Sequence, residues 1–221
     1  EAVHMIEAGR HRIFKLKIGL CGVEEDVRHV LAIKKALGGS ISVRVDVNQA
    51  WTELEAMRGI ALLQEGGIDL IEQPVAAHNR NALKRLSDYF SVALMADEAV
   101  LGPQNAFELA AGHYADVFAV KINQAGGLRN AALVGQMAAL AGIGLYGGTM
   151  LEGAIGTLAS AHVFSTYPEL AFGTELFGPS VLTEEIMAEP LPYRDFMLHL
   201  PQKPGLGIEV DKEKVYRLSK T

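Results

Sequence analysis

Short apolar runs alternate along the chain with longer segments in which apolar residues recur every three or four positions. The short runs have the length and β-branched composition of strands, and the longer segments have the period of amphipathic helices. Strands are predicted over 13–19, 42–47, 69–73, 92–97, 116–122, 144–148 and 170–175. Helices are predicted over 24–37, 52–65, 79–89, 103–111, 127–141 and 153–165. This alternation indicates an α/β domain built on one parallel sheet.

The two ends of the chain do not fit the alternation. Residues 1–9 have a helical pattern without an N-cap, so we expect the chain to begin partway through a larger protein. Residues 190–210 contain prolines and two extended patches, and residues 211–220 form a short polar tail. We therefore expect a barrel domain over residues 1–189 and an extended C-terminal segment over residues 190–221.

A closed barrel accounts for the alternation better than an open sheet with helices on both faces. No G-x-G-x-x-G motif follows the first predicted strand, so the phosphate loop of a dinucleotide-binding sheet is missing. Charged residues also end several successive strands, which an open sheet with one crevice would not need. A barrel of this kind has eight strands. The seven predicted strands therefore imply that one strand lies before Glu1.

Composition and charge exclude several classes of partner. The 221 residues carry a net charge of −6, which argues against a nucleic-acid-binding surface, because such surfaces are basic. No run reaches the roughly 20 apolar residues that a membrane-spanning helix needs. The one cysteine, Cys21, cannot form an internal disulfide, so we expect a cytoplasmic protein.

Four charged residues end four successive predicted strands at nearly equal spacing. Asp46, Glu72, Asp97 and Lys121 are separated by 26, 25 and 24 residues, about one strand–helix–strand step. Equal spacing places the four side chains at the C-terminal ends of the strands, where barrel enzymes carry their active sites. Three carboxylates crowded there repel one another unless a cation neutralises them. The sequence therefore predicts a Mg²⁺ or Mn²⁺ site with Asp46, Glu72 and Asp97 as ligands.

Lys15 and Lys17 occupy alternate positions of the first predicted strand. A period of two points both toward the barrel interior, while the apolar residues around them face the helices. Two neighbouring ammonium groups lower each other's pKa, as a lysine base requires. Lys121 lies about half a barrel away, so the lysines would flank a bound substrate from both faces. The pattern favours metal-assisted proton transfer at a carbon next to a carboxylate.

Other polar and small residues near the strand ends are weaker candidates for contact with the substrate or for support of the metal ligands. They are Asn48, Glu98, Glu152, Glu175 and Gly148. Glu98 is expected to point away from the centre and to support the ligand beside it. Each of the other two glutamates fits either a substrate contact or a helix cap. Gly148 allows either close approach to a ligand or only a sharp turn.

Six segments of the chain together resemble the enolase superfamily. They are KLK (15–17), VRVDVNQAW (43–51), DLIEQP (69–74), MADE (95–98), VFAVKI (117–122) and GIGLYGGTMLEG (142–153). Within that superfamily the chain resembles the muconate-lactonizing subgroup. Residues 143–162 and the segment TELFGP (174–179) resemble the muconate and chloromuconate cycloisomerases in particular. The resemblance covers essentially the whole chain.

The resemblance implies a TIM-like (β/α)₇β barrel that in this chain lacks its first strand and the N-terminal α+β capping domain of the family. Residues 190–221 resemble the segment that packs against that cap, which closes over the barrel mouth and selects the substrate. Without the cap, we expect residues 1–221 alone to have little or no activity. The resemblance also implies a homo-oligomer, commonly an octamer.

The resemblance further assigns roles to individual residues. Asp46, Glu72 and Asp97 correspond to the ligands of Mn²⁺ or Mg²⁺. Lys17 corresponds to the residue that exchanges a proton at the carbon α to the substrate carboxylate, and Lys15 to its neighbour that contacts the carboxylate and tunes it.

Two further residues complete the implied site. Lys121 corresponds to the lysine on the opposite face of the substrate, and Glu175 to a carboxylate that donates a proton. The implied reaction is the reversible closure of cis,cis-muconate, a dicarboxylate, to muconolactone in the β-ketoadipate route of catechol breakdown.

Other readings remain open from the sequence. A dipeptide epimerase or an o-succinylbenzoate synthase uses the same lysines on a different substrate. An inactive barrel that only binds metal is a third possibility, although such relatives lose Lys17 or a ligand carboxylate and this chain keeps all of them. The choice between chlorinated and unsubstituted muconate is also open.

Overall fold

A parallel sheet of six strands runs through the chain, with the strands in the order in which they occur in the sequence. It is seen in a computed structural model that describes residues 1–219. The strands are β1 (Ile13–Lys17), β2 (Ser42–Asp46), β3 (Leu70–Glu72), β4 (Ala93–Ala96), β5 (Val117–Val120) and β6 (Gly144–Gly147). Each strand pairs in parallel with the next. Sequential order is that of a barrel rather than of a doubly wound sheet, so the predicted fold class is confirmed.

Helices follow the strands at nearly the predicted positions. They are α1 (Ala2–Glu7), α2 (Val23–Leu37), α3 (Glu53–Glu65), α4 (Arg80–Tyr89), α5 (Gly102–Gly112), α6 (Ile122–Ala125), α7 (Leu128–Leu140), α8 (Ala154–Phe164) and α9 (Lys212–Leu218). Within residues 1–219, no helix is long and apolar enough to cross a membrane.

Two helical segments differ from the predictions. The helix predicted over residues 127–141 follows the separate turn α6, because Gly126 and Gly127 have φ angles of 82° and 115° that a helix cannot contain. The predicted polar tail contains α9. Its N-cap is Asp211, whose carboxylate accepts hydrogen bonds from the backbone N–H groups of Glu213 and Lys214, and this capping explains how a short polar segment becomes helical.

The seventh predicted strand, residues 170–175, forms one bridge instead of a full strand. Thr174 pairs in parallel with Gly147 at the edge of the sheet. The Gly147 N–H donates to the Gly173 carbonyl, and the Glu175 N–H donates to the Gly147 carbonyl, each at 3.0 Å. The bridge is short because Gly173 has a φ of 71°, outside the extended region. It nevertheless places Glu175 level with the C-terminal ends of the strands.

The sheet is curved, so its first strand faces the segment after β6 across the interior. Nζ of Lys15 on β1 lies 3.0 Å from Oε2 of Glu175. Nη1 of Arg44 on β2 donates to the Phe172 carbonyl at 2.6 Å. These contacts join elements that are not neighbours in the sheet. The described residues therefore form a parallel half-barrel sheet of six strands.

The C-terminal segment returns to the start of the chain. It contains a small antiparallel pair, β7 (Tyr193–Arg194) and β8 (Met197–Leu198). The Phe196 N–H between them donates to the Gly9 carbonyl at 2.8 Å. The guanidinium group of Arg10 lies 5.4 Å from the ring centroid of Tyr193, within the range of a cation–π contact. The segment thus covers the connection between α1 and β1.

Alternating side chains of the strands form two separate layers. One face packs against the helices and includes Val43, Val45, Leu94 and Phe118. The other lines the inside of the curve and includes Leu70, Met95, Val117, Ala119 and Tyr146. The alternation predicted from the period of two is therefore present. The interior layer is apolar toward the middle of the strands and charged at their C-terminal ends.

Trp51 packs in the core beneath the loop that follows β2. Only 5% of its surface is exposed, and its ring lies against Gly59 in the middle of α3. A Cβ atom on Gly59 would lie 2.6 Å from Cη2 of the indole. The glycine therefore allows the ring to contact the helix backbone directly.

We expect Gly59→Ala to lower the free energy of unfolding, although glycine-to-alanine changes inside helices raise it by about 1 kcal/mol on average. The added methyl group overlaps the buried indole, and overpacking of this kind costs about 1–3 kcal/mol. Urea denaturation would measure the effect. Gly39→Ala is the control, because a Cβ there meets no atom within 4 Å. Equal stabilisation by both changes would contradict the packing described.

Candidate metal centre and active site

Three carboxylates converge at the C-terminal ends of β2, β3 and β4. Asp46 and Glu72 are the last residues of β2 and β3 and are paired in register. Asp97 follows β4 and continues the same face of the sheet. One carboxylate oxygen of each residue lies within 4.8 Å of the others, and all three residues are buried. The equal spacing in the sequence produces this cluster because each strand–helix step returns the chain to the same edge of the sheet.

The three carboxylates have the properties of a site for a hard divalent cation. Oε1 of Glu72 is buried and has no hydrogen-bond partner within residues 1–219, although buried polar atoms are normally satisfied. Burial raises the pKa of Glu72; Lys15 opposes this shift, and Asp46 and Asp97 add to it. A cation between the carboxylates would provide the missing partner and remove the repulsion. Oxygen ligands alone suit Mg²⁺ or Mn²⁺.

Each of the three carboxylates is paired with a different lysine. The pairs are Lys15 with Glu72, Lys17 with Asp46, and Lys121 with Asp97. The distance from Nζ to the nearest carboxylate oxygen is 2.5 Å for Lys17 and 2.6 Å for Lys121. Opposite charges within this range stabilise the charged form of both partners. The structure therefore brings all the predicted lysines and ligands into one cluster.

Lys15 is the most enclosed charge on β1. Its side chain is 10% exposed, and Nζ contacts both Glu72 and Glu175. Burial lowers the pKa of Lys15, but the two glutamates raise it more, so this pKa lies above its ordinary value. The prediction of a lowered pKa is therefore wrong for Lys15. Its nearest charges are carboxylates across the interior, which the spacing along one strand could not show.

Lys17 lies at the open mouth of the cluster, with 64% of its side chain exposed. Its Nζ donates to Oδ2 of Asp46 at 2.5 Å and to Oδ1 of Asn48 at 2.8 Å. Asn48 in turn donates from Nδ2 to Oε1 of Glu98 at 3.1 Å. This chain of hydrogen bonds holds the ammonium group at the solvent-facing side of the three carboxylates. It also places Asn48 and Glu98 around the cluster.

Lys121 is buried and reaches Asp97 beside Gly148. Burial lowers the pKa of Lys121, but Asp97 raises it more, and the net shift is upward. A Cβ atom on Gly148 would lie 2.8 Å from both Cγ and Cε of Lys121. Gly148 therefore provides space for the lysine side chain. The sequence predicted either a close approach of a ligand to Gly148 or a sharp turn. A close approach is present, but the group that approaches is the Lys121 side chain and not a ligand.

The two candidate glutamates after β6 have different surroundings. Glu175 joins the cluster, where it contacts Lys15 and accepts a hydrogen bond from the Thr149 N–H at 3.4 Å. Glu152 instead accepts hydrogen bonds from the Thr149 hydroxyl at 2.5 Å and the Met150 N–H at 2.9 Å. These contacts lie within its own loop. Glu152 therefore orders the loop above β6 rather than the charged cluster.

Three buried polar residues near the site were not predicted from the sequence. They are Arg44, Gln73 and Tyr146. The guanidinium group of Arg44 lies 5.6 Å from the ring centroid of Tyr146, below the carboxylates. The period of two could have identified both, since they precede Asp46 and Gly148 by two positions on the interior face. Nothing in the local pattern marks Gln73.

Comparison with known proteins establishes the family. A model of the family described as enolase C-terminal domain-like matches residues 1–215. The chain belongs to this family. The resemblance inferred from the sequence segments is therefore confirmed.

Named relatives of this enolase-type domain align with nearly the whole of the chain. Muconate cycloisomerase 1 of Acinetobacter baylyi is 60% identical over 218 residues, which are 99% of this chain and 59% of the relative. A chloromuconate cycloisomerase of Pseudomonas sp. strain P51 is 45% identical over 214 residues, 97% of this chain and 58% of the relative. The solved muconate lactonizing enzyme from Pseudomonas putida superposes with a TM-score of 0.96 at 55% identity, covering 98% of this chain and 60% of that one. The chain thus spans less than two thirds of these relatives.

We expect Mn²⁺ or Mg²⁺ to raise the melting temperature of the protein, because a ligand that binds only the folded state stabilises it. Glu72→Gln should weaken Mn²⁺ binding strongly, since it replaces the buried ligand carboxylate. Calorimetric titration and thermal unfolding would measure the two effects. Glu152→Gln is the matched control, because the carboxylate of that glutamate accepts its hydrogen bonds from Thr149 and Met150 in its own loop. Equal Mn²⁺ affinities of the two variants would contradict the ligand set.

We expect Gly148→Ala to destabilise the protein by about 1–3 kcal/mol through overlap with Lys121. A double-mutant cycle with Lys121→Ala isolates the cause, because truncating the lysine removes the atoms that the new methyl group would meet. In the Lys121→Ala background, Gly148→Ala should lower the free energy of unfolding much less than it does in the parent protein. Urea denaturation would measure both losses of stability. If Gly148→Ala destabilised the Lys121→Ala variant as much as the parent protein, the space beside Gly148 would not be needed for the lysine side chain.

Proposed function

We propose that the protein containing this chain is a metal-dependent cycloisomerase that interconverts cis,cis-muconate, or a chloromuconate, and muconolactone. The observation that carries the proposal is the cluster of three carboxylates, each paired with its own lysine, at the mouth of the curved sheet. Its chemistry matches proton transfer beside a carboxylate. The similarity to enzymes named muconate cycloisomerase supports the choice of substrate.

Asp46, Glu72 and Asp97 are the proposed ligands of the cation, which we take to be Mn²⁺ or Mg²⁺. The unpartnered Oε1 of Glu72 and the absence of nitrogen or sulfur ligands in the triad support this choice. When bound, the cation supplies a Lewis acid that holds the substrate carboxylate and stabilises negative charge developing beside it.

Lys17 is the proposed acid–base residue. In ring closure, an oxygen of one carboxylate bonds to a carbon of the distant double bond, and the electron pair moves to the carbon α to the other carboxylate. Nζ of Lys17 then delivers a proton to that α carbon, and it removes the proton in the reverse direction. The exposure of Lys17 at the cluster mouth and its two hydrogen bonds to Asp46 and Asn48 support this role.

The other charged residues are proposed to orient the substrate and balance its charge. Lys15 would bind the substrate carboxylate and tune Lys17, since it is an ammonium group enclosed among carboxylates. Lys121 follows β5, four strands away from Lys17 on β1, and would face the substrate from the side opposite Lys17. Glu175 would act as a proton donor within the cluster, a role that its contact with Lys15 supports, and would help to replace the one proton that Lys17 delivers to the substrate.

We also propose the division of the chain and the setting of the protein. Residues 1–189 would form the barrel domain, and residues 190–221 would pack against a capping domain; Lys220 and Thr221 lie outside the described residues. The antiparallel pair β7–β8 forms a sheet of its own, apart from the six-stranded sheet, and this supports the division. The protein would be a cytoplasmic homo-octamer that acts in the β-ketoadipate route.

We expect the complete protein to consume cis,cis-muconate in the presence of Mn²⁺ and to lose this activity with EDTA. Lys17→Ala should lower kcat by roughly 10²–10⁴-fold, the usual contribution of a general acid or base. Loss of the muconate absorbance would measure the rate. Lys35→Ala, on the exposed face of α2, is the control and should leave the rate unchanged.

Two outcomes would point to another enzyme of the same superfamily. Lys17→Ala with full activity would remove Lys17 from the proposed mechanism. A folded, Mn²⁺-loaded protein that turns over neither muconate nor chloromuconate would refute the proposed substrate, and dipeptides would then be tested.

A further inference from the structure

Gln73 directly follows the ligand Glu72 and has no exposed surface. Its Oε1 accepts hydrogen bonds from the backbone N–H groups of Asp97 at 2.9 Å and Ala99 at 3.2 Å. Its Nε2 donates to the Val75 carbonyl at 2.9 Å. Both ends of the amide are therefore used. One side chain joins the loop after β3 to the loop after β4.

The backbone of Gln73 makes two further connections. Its N–H donates to the Met95 carbonyl on β4 at 2.8 Å, and its carbonyl accepts from the Gln49 N–H in the loop after β2 at 2.8 Å. The φ angle of Gln73 is 36°, in a region that residues with a side chain rarely adopt. Such a conformation persists only where the surrounding contacts determine it, and here five hydrogen bonds do so.

Each connected loop begins at or directly after one carboxylate of the proposed metal centre. Gln49 lies three residues after Asp46, Gln73 is next to Glu72, and the third partner is Asp97 itself. The carboxylates, which bring one oxygen each within 4.8 Å of the others, repel one another. A rigid connection between their backbones opposes this repulsion. Gln73 lies in the loop after β3 and hydrogen-bonds to the loops after β2 and β4.

The geometry requires an amide at position 73. A methionine of similar length would leave two N–H groups and one carbonyl buried without partners, which is unfavourable. A glutamate would accept both N–H bonds, but it has no donor for the Val75 carbonyl. It would also add a fourth buried negative charge beside Glu72. An asparagine is one methylene shorter and cannot span the same groups.

We propose that Gln73 is a positioning residue that sets the separation of Asp46, Glu72 and Asp97 and thereby the affinity of the metal centre. This role rests on the metal site proposed above and adds a residue that does not itself contact the cation. Groups that orient metal ligands in this way commonly change metal affinity 10–100-fold when they are removed.

The test measures Mn²⁺ affinity by calorimetry and the symmetry of bound Mn²⁺ by electron paramagnetic resonance. Gln73→Met should raise the Kd for Mn²⁺ by roughly 10–100-fold and broaden the Mn²⁺ spectrum. Should this variant not fold, Gln73→Asn is measured against the same criterion. Circular dichroism and thermal unfolding report on the folded state without metal.

Gln64→Met is a matched control on α3, and the hydrogen bonds that it removes lie at the N-terminal end of β4. Oε1 of Gln64 accepts hydrogen bonds from the N–H groups of Ser91 and Val92, both at 2.8 Å, before β4. The control variant also loses two hydrogen bonds from backbone N–H groups to a side-chain amide oxygen, but at the end of β4 away from Asp46, Glu72 and Asp97. It should lower the melting temperature and leave the Kd for Mn²⁺ unchanged. A purely structural role for Gln73 predicts the same behaviour for both variants.

The outcomes separate this inference from the proposed function. A Kd for Mn²⁺ in folded Gln73→Met within twofold of the parent value would refute the positioning role alone. A parent protein that binds no Mn²⁺ would refute the metal centre and the role of Gln73 together. Binding without turnover of muconate would refute only the proposed reaction and would leave Gln73 with the role described.

Discussion

The concentration of charge at one end of a parallel sheet is the constraint on which the rest of the structure depends. Four carboxylates and three lysines share the mouth of the curved sheet. Burial of unpaired charges is strongly unfavourable, so each buried acid needs a nearby ammonium group or a cation. The contact between Lys15 and Glu175 also joins the two sides of the sheet. Charge balance and the shape of the sheet are therefore linked.

The remainder of the fold supplies the rigidity that this cluster requires. The apolar face of the sheet packs on helices, and a smaller apolar layer fills the interior below the charges. Glycine provides space where a side chain must pass close by, as at Gly148 beside Lys121. Loops hold strained backbone at Asn48, Gln49 and Gln73, all with positive φ. Such strain at functional sites is offset by stability elsewhere.

Much of the site could be predicted because two simple periods coincide in it. A repeat of about 25 residues predicts that the side chains at one edge of the sheet are Asp46, Glu72, Asp97 and Lys121. The period of two predicts that Lys15 and Lys17 face the interior. Contacts across the interior escaped prediction. The raised pKa of Lys15 comes from glutamates that lie 57 and 160 residues away in the sequence. The position of Glu152 escaped prediction for a different reason: its contacts are local, but they depend on the conformation of a loop that has no periodic pattern.

The sequence by itself determined the alternation of strands and helices, the interior face of each strand and the types of residue at the strand ends. Those features depend on local spacing and side-chain polarity. The tertiary structure decided which lysine pairs with which carboxylate, how much of Lys17 is exposed, and that residues 170–175 form one bridge. It also decided the hydrogen bonds of Gln73, because bonds that connect three loops depend on the positions of those loops in space and leave no periodic signal in the chain.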